Sequence, residues 1–353
     1  MIPRLRSRRL LGPEDIPPSQ DDLRVVGAFN PGVIDTGDGI TLLVRVAETA
    51  REKRPAFVAL PRWDPAGARI GIDWLPEDEV FADDPRVVTI RSTGLKRLTF
   101  FSHLLVAHSR DGWNIDAVGP MRIWPAGELE EFGMEDPRIT ALNGRYYFSY
   151  VAVSRHGAAT ALASTGDFRD FDRLGVIFPP ENKDVVLFPE RVHGEFLALH
   201  RPNPAQHFTR PGIWLASSPD LTHWGGHAPL LRGAGAHEAG RIGAGSPPIR
   251  TAAGWLAIYH GNAAGAGPPA GVGTYGAGAV LTDLDRPGRI IGRCTRVLAP
   301  ETPYERQGFV PDVIFPTGIV PRGETVLIYY GAADQAVGVT QLRLRDLLRA
   351  VGH

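Results

Sequence analysis

Gly133-Met134-Glu135-Asp136-Pro137-Arg138-Ile139-Thr140-Ala141-Leu142 runs through Asn143-Gly144 into Tyr146-Tyr147-Phe148-Ser149-Tyr150, two strand-like runs around an Asn-Gly turn. That turn chemistry between β-branched and aromatic runs is a strong short-range hairpin signal. An acid stands at its head. Pro137 fixes its own φ and steers Asp136 out of the helical region, so the expectation is a carboxylate presented from an extended, rigid backbone. Glu135 and Arg138 flank it with opposite charges and can move its proton affinity either way. Taken alone, the stretch reads equally well as a salt-bridged turn leading into a strand.

The same phrase returns along the chain. Phe29-Asn30-Pro31-Gly32-Val33-Ile34 turns through Thr36-Gly37-Asp38-Gly39 into Ile40–Val46, and Phe188-Pro189-Glu190-Arg191-Val192 turns through His193-Gly194 into Phe196–His200. Pro247-Pro248-Ile249-Arg250 turns through Ala253-Gly254 into Trp255–His260, and Phe315–Val320 turns through Arg322-Gly323 into Val326–Tyr330. Further short strands end in Ser/Asp/aromatic turns, as in Ala107-His108-Ser109-Arg110-Asp111-Gly112-Trp113 and Ala163-Ser164-Thr165-Gly166-Asp167-Phe168. Hairpins repeating every 50 to 65 residues or so, with periodic aromatic turns, predict an all-β chain folded as a five-bladed β-propeller, one sheet per repeat.

Composition agrees. Gly 41 and Pro 31 make up about a fifth of 353 residues and are spread along the chain, which demands many turns and short strands. A net charge of −1 gives no global pull toward nucleic acid or an anionic membrane, and no apolar run is long enough for a membrane-spanning helix. The lone Cys294 excludes an internal disulfide framework, and the N-terminus lacks the apolar segment of a secretory signal, so a cytoplasmic protein is expected. Arg4, Arg6, Arg8 and Arg9 alternating with leucines suggest a basic arm over residues 1–28, either solvated or docking as a short helix on a second subunit. The propeller is placed at 29–346 and a tail at 347–353. The first repeat is longer than the rest, so an insertion is placed at about 48–98, as decoration or as a rim that restricts substrate length.

A propeller brings matching positions of different repeats to one end of its axis. Those positions hold Asn30, Arg45, Asp136, Arg138, Lys183, Arg201, Arg241, His260 and Asp334, where a buried strand would prefer apolar residues. Each alone is compatible with a structural ion pair. Together they form a cationic pocket beside one or two carboxylates, the electrostatics needed to seat an oxyanion such as phosphate. No Gly-rich loop opens a helix and no metal-ligand spacing is present, so neither a nucleotide cofactor nor a metal is expected.

These residues carry a resemblance. Phe29-Asn30-Pro31, Leu43-Val44-Arg45-Val46, Gly133–Arg138, Asn182-Lys183-Asp184, Leu187-Phe188-Pro189-Glu190, Leu199-His200-Arg201-Pro202, Arg241-Ile242-Gly243-Ala244-Gly245, Ile258-Tyr259-His260-Gly261 and Tyr329–Asp334 make the chain similar to the inverting mannoside phosphorylases of glycoside hydrolase family 130, which are five-bladed propellers. The resemblance implies that Asp136 is the proton donor, acting through the 3-hydroxyl of the mannosyl ring. It implies that Lys183, Arg201, Arg241 and His260 bind inorganic phosphate, a co-substrate and not a cofactor. Asn30, Arg45 and Asp334 match residues that hold the mannosyl ring, with Arg138 placed among them. The implied reaction is reversible phosphorolysis of a β-mannoside, β-1,2-linked mannobiose or a longer oligosaccharide, to α-mannose 1-phosphate. The alternatives are a β-1,4-mannoside phosphorylase, an inverting β-mannosidase with Glu131, Glu135 or Glu190 as base, and a glycan-binding propeller without activity. Arg155, His156 and Tyr304 are candidate acceptor contacts or plain rim residues, and a homo-oligomer is the implied state.

Overall fold

A computed structural model of the chain describes residues 1–203, 208–263 and 272–353, with only the backbone of residue 83. The architecture is all-β, with short helical segments at its margins. The first hairpin is Leu23–Asp35 with Ile40–Ala50; Phe101–Ser109 and Ala117–Ile123 add on its far side. The stretch that opens the sequence reading forms Gly133–Leu142 and Arg145–Ser154, extended by Gly157–Thr165 and Asp172–Phe178. A parallel bridge, Gly133 with Ser102, links these two groups of strands.

Asn182–Leu187, Phe196–Pro202, Ile213–Ser218 and Gly225–Leu231 make the next sheet. After it come Arg241–Ala244 and Ile249–Thr251, both paired with Gly254–Asn262, then Tyr275–Thr282 and Ile290–Leu298. The final sheet joins Ile314–Arg322, Thr325–Ala332 and Ala336–Arg343 to Arg6–Leu11.

Apolar cores fill the space between each group and the next. Leu43 and Val106 meet Ile139 and Phe148; Leu142 and Leu162 meet Val185 and Phe196; Val186 and Leu199 meet Trp255 and Tyr259; Leu256 and Ile258 meet Ile319 and Ile328. The series returns to its start, because Val33, Leu42 and Leu105 pack with Val320, Leu327 and Tyr329.

The N-terminal segment is not an arm. Arg6–Leu11 lies antiparallel to Ala336–Arg343, with Arg6 opposite Gln341 and Arg8 opposite Val339. Its residues, RSRRLL, carry no alternating apolar face and only Leu11 is fully buried, so the pairing is set by a partner more than 300 residues away, beyond any local pattern. The segment is anchored further by Arg4, whose Nη1 lies 2.6 Å from Glu305 Oε1. The first hairpin, too, starts at Leu23, inside the span read as arm. Residues 347–353 are likewise not a free tail: the helix Leu344–Ala350 places Leu347 and then Val351 in the core between the last two sheets.

In the third repeat the first strand is Asn182–Leu187, earlier than the expected Phe188–Val192. Pro189 cannot donate to a ladder, so 188–195 serves as the connection, with Phe188 buried as core filling. The insertion lies between Ile40–Ala50 and Phe101–Ser109. It folds as a two-stranded unit, Phe57–Asp64 with Arg69–Pro76, and a three-stranded one, Val80–Asp84, Val87–Ile90 and Lys96–Leu98. Leu60, Val80 and Val88 give it a small core of its own.

Candidate functional site

One backbone device recurs in Leu23–Asp35, Gly133–Leu142 and Asn182–Leu187. The strand pairing slips between Phe29 and Gly32, between Glu135 and Arg138, and between Lys183 and Val186. Within the slips sit Asn30, Asp136 and Asp184, with φ of 47°, 50° and 57°. Asn and Asp are the side-chain-bearing residues that best tolerate this left-handed region, and a bulge re-aims a side chain out of the normal alternation. Asp136 is thus not on extended backbone as its Pro137 suggested; the bulge overrides the local preference. Asp334, in the turn after Thr325–Ala332, has φ of 49°.

These residues surround a cavity of about 190 Å³ with two unlike ends. At one end, Asn30 Nδ2 and Arg45 Nη1 each donate to Asp136 Oδ1 at 2.8 Å. Among the described residues no donor meets Oδ2. Arg45 Nη2 reaches Glu135 Oε1 at 2.7 Å, and Lys183 Nζ lies 3.7 Å from Glu135 Oε2. Burial alone would raise the carboxyl of Asp136, but Arg45, Arg138 and Asn30 together hold it below the ordinary aspartate value. Asp334 is on the same side and moves the opposite way: burial raises it, with Asp136 and Glu135 adding to the rise against Arg86 and Arg45.

At the other end stand Lys183, Arg201 and Arg241. Lys183 and Arg201 are direct cross-strand partners, an arrangement of like charges that costs stability unless an anion compensates it. Asp184 supplies one such charge from beneath. Its Oδ2 lies 2.7 Å from Arg201 Nη1 and 3.3 Å from His260 Nε2, and its Oδ1 accepts from Arg138 Nη2 at 3.2 Å. Burial lowers the proton affinity of Arg201 despite Asp184, and the neighbouring Arg241 and Arg138 lower it further. Arg241 has no carboxylate within ion-pair reach among the described residues. The lining residues therefore give this end an excess of positive charge.

Seven of the nine residues singled out in the sequence line the cavity: Asn30, Arg45, Asp136, Lys183, Arg201, Arg241 and Asp334. Arg138 and His260 do not. Arg138 is buried behind the wall, donating from Nη1 to the backbone carbonyl of Asp136 at 2.6 Å. His260 is fully buried, stacked on Phe315 with ring centroids 4.2 Å apart, and its Nε2 lies 3.1 Å from Arg201 Nη1. Burial lowers its proton affinity, so near neutral pH it is an uncharged group behind Arg201 and not the compact positive charge expected.

Sequence reasoning gave Asp184 no role, and it named Glu135 only as a charge flanking Asp136 and as the base of the hydrolase alternative. It also missed Arg86, Phe100, Asn203, Tyr275 and Phe315 on the wall. The other candidates lie elsewhere. Arg155 forms a two-pronged pair with Glu131, and Tyr304 Oη bonds Tyr330 Oη at 3.1 Å. Glu190 pairs with Arg250 at a half-exposed surface.

Comparison with known proteins gives a consistent picture. Residues 85–352 match a family model, Glyco_hydro_130, described as beta-1,4-mannooligosaccharide phosphorylase. A beta-1,2-mannobiose phosphorylase of Listeria innocua is 35% identical over 353 residues, covering 98% of this chain and 97% of its own length. A 1,2-beta-oligomannan phosphorylase of Thermoanaerobacter is 36% identical, covering 70% of this chain and 81% of its own. The solved structure of the Listeria innocua beta-1,2-mannobiose phosphorylase, in complex with beta-1,2-mannobiose, superposes with a TM-score of 0.91 at 34% identity, over 98% of this chain and 99% of that one.

Proposed function

We propose, from the premise that this chain belongs to glycoside hydrolase family 130, that it is a phosphorylase of β-mannosides, with β-1,2-linked mannobiose or mannooligosaccharide as substrate. The observation that carries the reading is the two-ended cavity: Asp136 at one end, and Lys183, Arg201 and Arg241 at the other. The β-1,2 linkage rests on the nearly full-length similarity to the Listeria innocua enzyme.

In this reading inorganic phosphate occupies the cationic end, held by Lys183, Arg201 and Arg241, with His260 backing Arg201. Asn30, Arg45 and Asp334 hold the mannosyl ring, and Arg138 fixes the backbone that carries Asp136. A phosphate oxygen attacks the anomeric carbon from the face opposite the leaving sugar. As that carbon–oxygen bond breaks, the leaving oxygen takes a proton from the ring's 3-hydroxyl, which is replenished from Oδ2 of Asp136. The products are α-mannose 1-phosphate and the shortened acceptor. Proton supply at Asp136 is favoured by the incoming anion, whose negative charge raises a carboxyl that Arg45, Arg138 and Asn30 otherwise keep low.

A hydrolase of this stereochemistry needs a second carboxylate to activate water. The three candidates are already committed: Glu135 to Arg45 and Lys183, Glu131 to Arg155, and Glu190 to Arg250. A phosphorylase needs no such base, since bound phosphate is the nucleophile and preorganised cations place it.

The same proposal reads the successive sheets as the five blades of a propeller, supported by the packing of the last sheet against the first. It also takes the protein to be a homo-oligomer in the cytoplasm, the latter supported by a single cysteine in 353 residues. The test of substrate is a panel of β-1,2- and β-1,4-mannobiose with phosphate, monitored by phosphorus NMR. Mannose 1-phosphate formed faster from the β-1,2 disaccharide supports the reading, and a preference for the β-1,4 disaccharide overturns the assigned linkage.

A further inference from the structure

The insertion between Ile40–Ala50 and Phe101–Ser109 supplies part of the cavity wall: Arg86, Val87 and Leu98, with Phe100 directly after it. Arg86 is its one charged contribution there. The guanidinium is fixed at its root, because Nε and Nη2 donate to Asp84 at 3.2 and 3.0 Å and the Arg86 backbone N–H donates to Asp84 Oδ1 at 2.7 Å. The remaining nitrogen, Nη1, lies 3.4 Å from Asp334 Oδ2, on the last sheet of the fold. A fork held by one carboxylate of its own loop and aimed at another across the cavity is a preorganised contact.

We propose that Arg86 is a positioning residue for the mannoside half of the site: the insertion delivers its guanidinium to Asp334 and keeps that carboxylate in place as a charged acceptor for sugar hydroxyls. This rests on the phosphorylase reading above. The groups that face Asp334 are Arg86 from the insertion, Arg45 from the first sheet, and Asp136 with Glu135 from the second. Arg45 is shared with both Glu135 and Asp136, so Arg86 is the cation that Asp334 does not divide with the proton donor. Without it, Asp334 faces two carboxylates and half of one arginine. Its charged form is then disfavoured, and sugar binding requires a higher pH.

The test uses the full-length protein. Wild-type turnover of β-1,2-mannobiose is first shown to require phosphate, which decides the underlying reading separately. Arg86→Gln and Arg86→Lys are then compared over a range of pH, with melting temperatures to confirm folding. For Arg86→Gln the expected results are a mannobiose KM raised at least about tenfold near neutrality, a phosphate KM within about twofold of wild type, and an acidic limb of kcat/KM moved up by about one pH unit. Arg86→Lys should recover most of the limb position. A folded Arg86→Gln with an unmoved acidic limb overturns the proposal, as does a rise in phosphate KM with mannobiose KM unchanged. If Arg86→Gln does not fold, the lysine variant decides: an acidic limb displaced upward by about one full pH unit despite the retained positive charge would overturn it.

Discussion

Asp184 Oδ2 stands 2.7 Å from Arg201 Nη1 while Oδ1 of the same carboxylate accepts from Arg138, so one buried acid serves two arginines and also faces His260. Neutralisation is therefore not one for one. Had each cation its own internal acid, the pocket would have no use for an anion; with Asp184 shared, Lys183 and Arg241 keep charge to offer. The account of phosphate binding depends on that imbalance.

Replacing Asp184 by Asn should strand two buried guanidinium groups and cost about 3–5 kcal/mol at neutral pH, as breaking a buried pair does. The sign of its pH dependence follows from the charge of its neighbours. Burial would raise this carboxyl, but Arg201, His260 and Arg138 pull it far below the ordinary aspartate value. Its contribution is fully present above about pH 4, the unfolded value, and is lost as pH falls toward the folded value. Denaturant midpoints of wild type and Asp184→Asn should differ by a constant amount from pH 7 down to about 4, then converge.

Lys183→Ala removes a cation that is half-buried at the cavity wall and bonded only weakly to Glu135. Phosphate KM should rise roughly 10- to 100-fold, the worth of a charge-assisted hydrogen bond, with the melting temperature nearly unchanged. Arg201→Ala should raise phosphate KM as well, but with a clear loss of stability, since it leaves Asp184 buried with one partner fewer.

Asp136→Asn keeps the shape of the site and removes the proton. We expect kcat to fall by about 10²–10⁴ and mannobiose binding, measured by calorimetry, to persist. Loss of binding with catalysis in proportion would assign Asp136 to substrate holding alone.

Two glycines mark where backbone must approach the site closely. A Cβ on Gly331 would lie 1.7 Å from Asn30 Oδ1, and one on Gly243 would lie 2.2 Å from Asp184 Oδ2 and 2.6 Å from His260 Cε1. Gly331→Ala should displace Asn30 from Asp136 and lower kcat, while Gly243→Ala should disturb the cationic end and raise phosphate KM. Steady-state kinetics with each substrate varied in turn separates the two effects.

Much of this was legible in the sequence because it is local. Asn143-Gly144 and the glycine turns of the first, fourth and fifth repeats mark hairpins that form, and seven of the nine polar residues singled out line the cavity. Contacts between segments far apart in the sequence were not legible. Arg6–Leu11 has no alternating apolar pattern, and nothing near it names Ala336–Arg343 as its partner. Arg86 sits in an insertion with no repeat to compare it with, and only the fold brings it to Asp334. His260 fits the pattern of a cationic pocket by type, yet its charge is decided by burial, a property of packing and not of spacing. At Asp136 the local rule for a residue before proline gave the wrong backbone, since the bulge shared with Asn30 and Asp184 prevails.

Deleting residues 1–12 should lower the melting temperature sharply and promote aggregation, because it uncovers the edge of Ala336–Arg343 and removes buried Leu11 and Ile2. An unchanged melting temperature would return the segment to the status of an arm.

The central claim is that bound phosphate, and not water, is the nucleophile. Incubation with β-1,2-mannobiose, with and without inorganic phosphate, measures it directly. The account predicts cleavage only with phosphate, yielding one α-mannose 1-phosphate per mannose released; equal cleavage in its absence, giving free mannose alone, would contradict it.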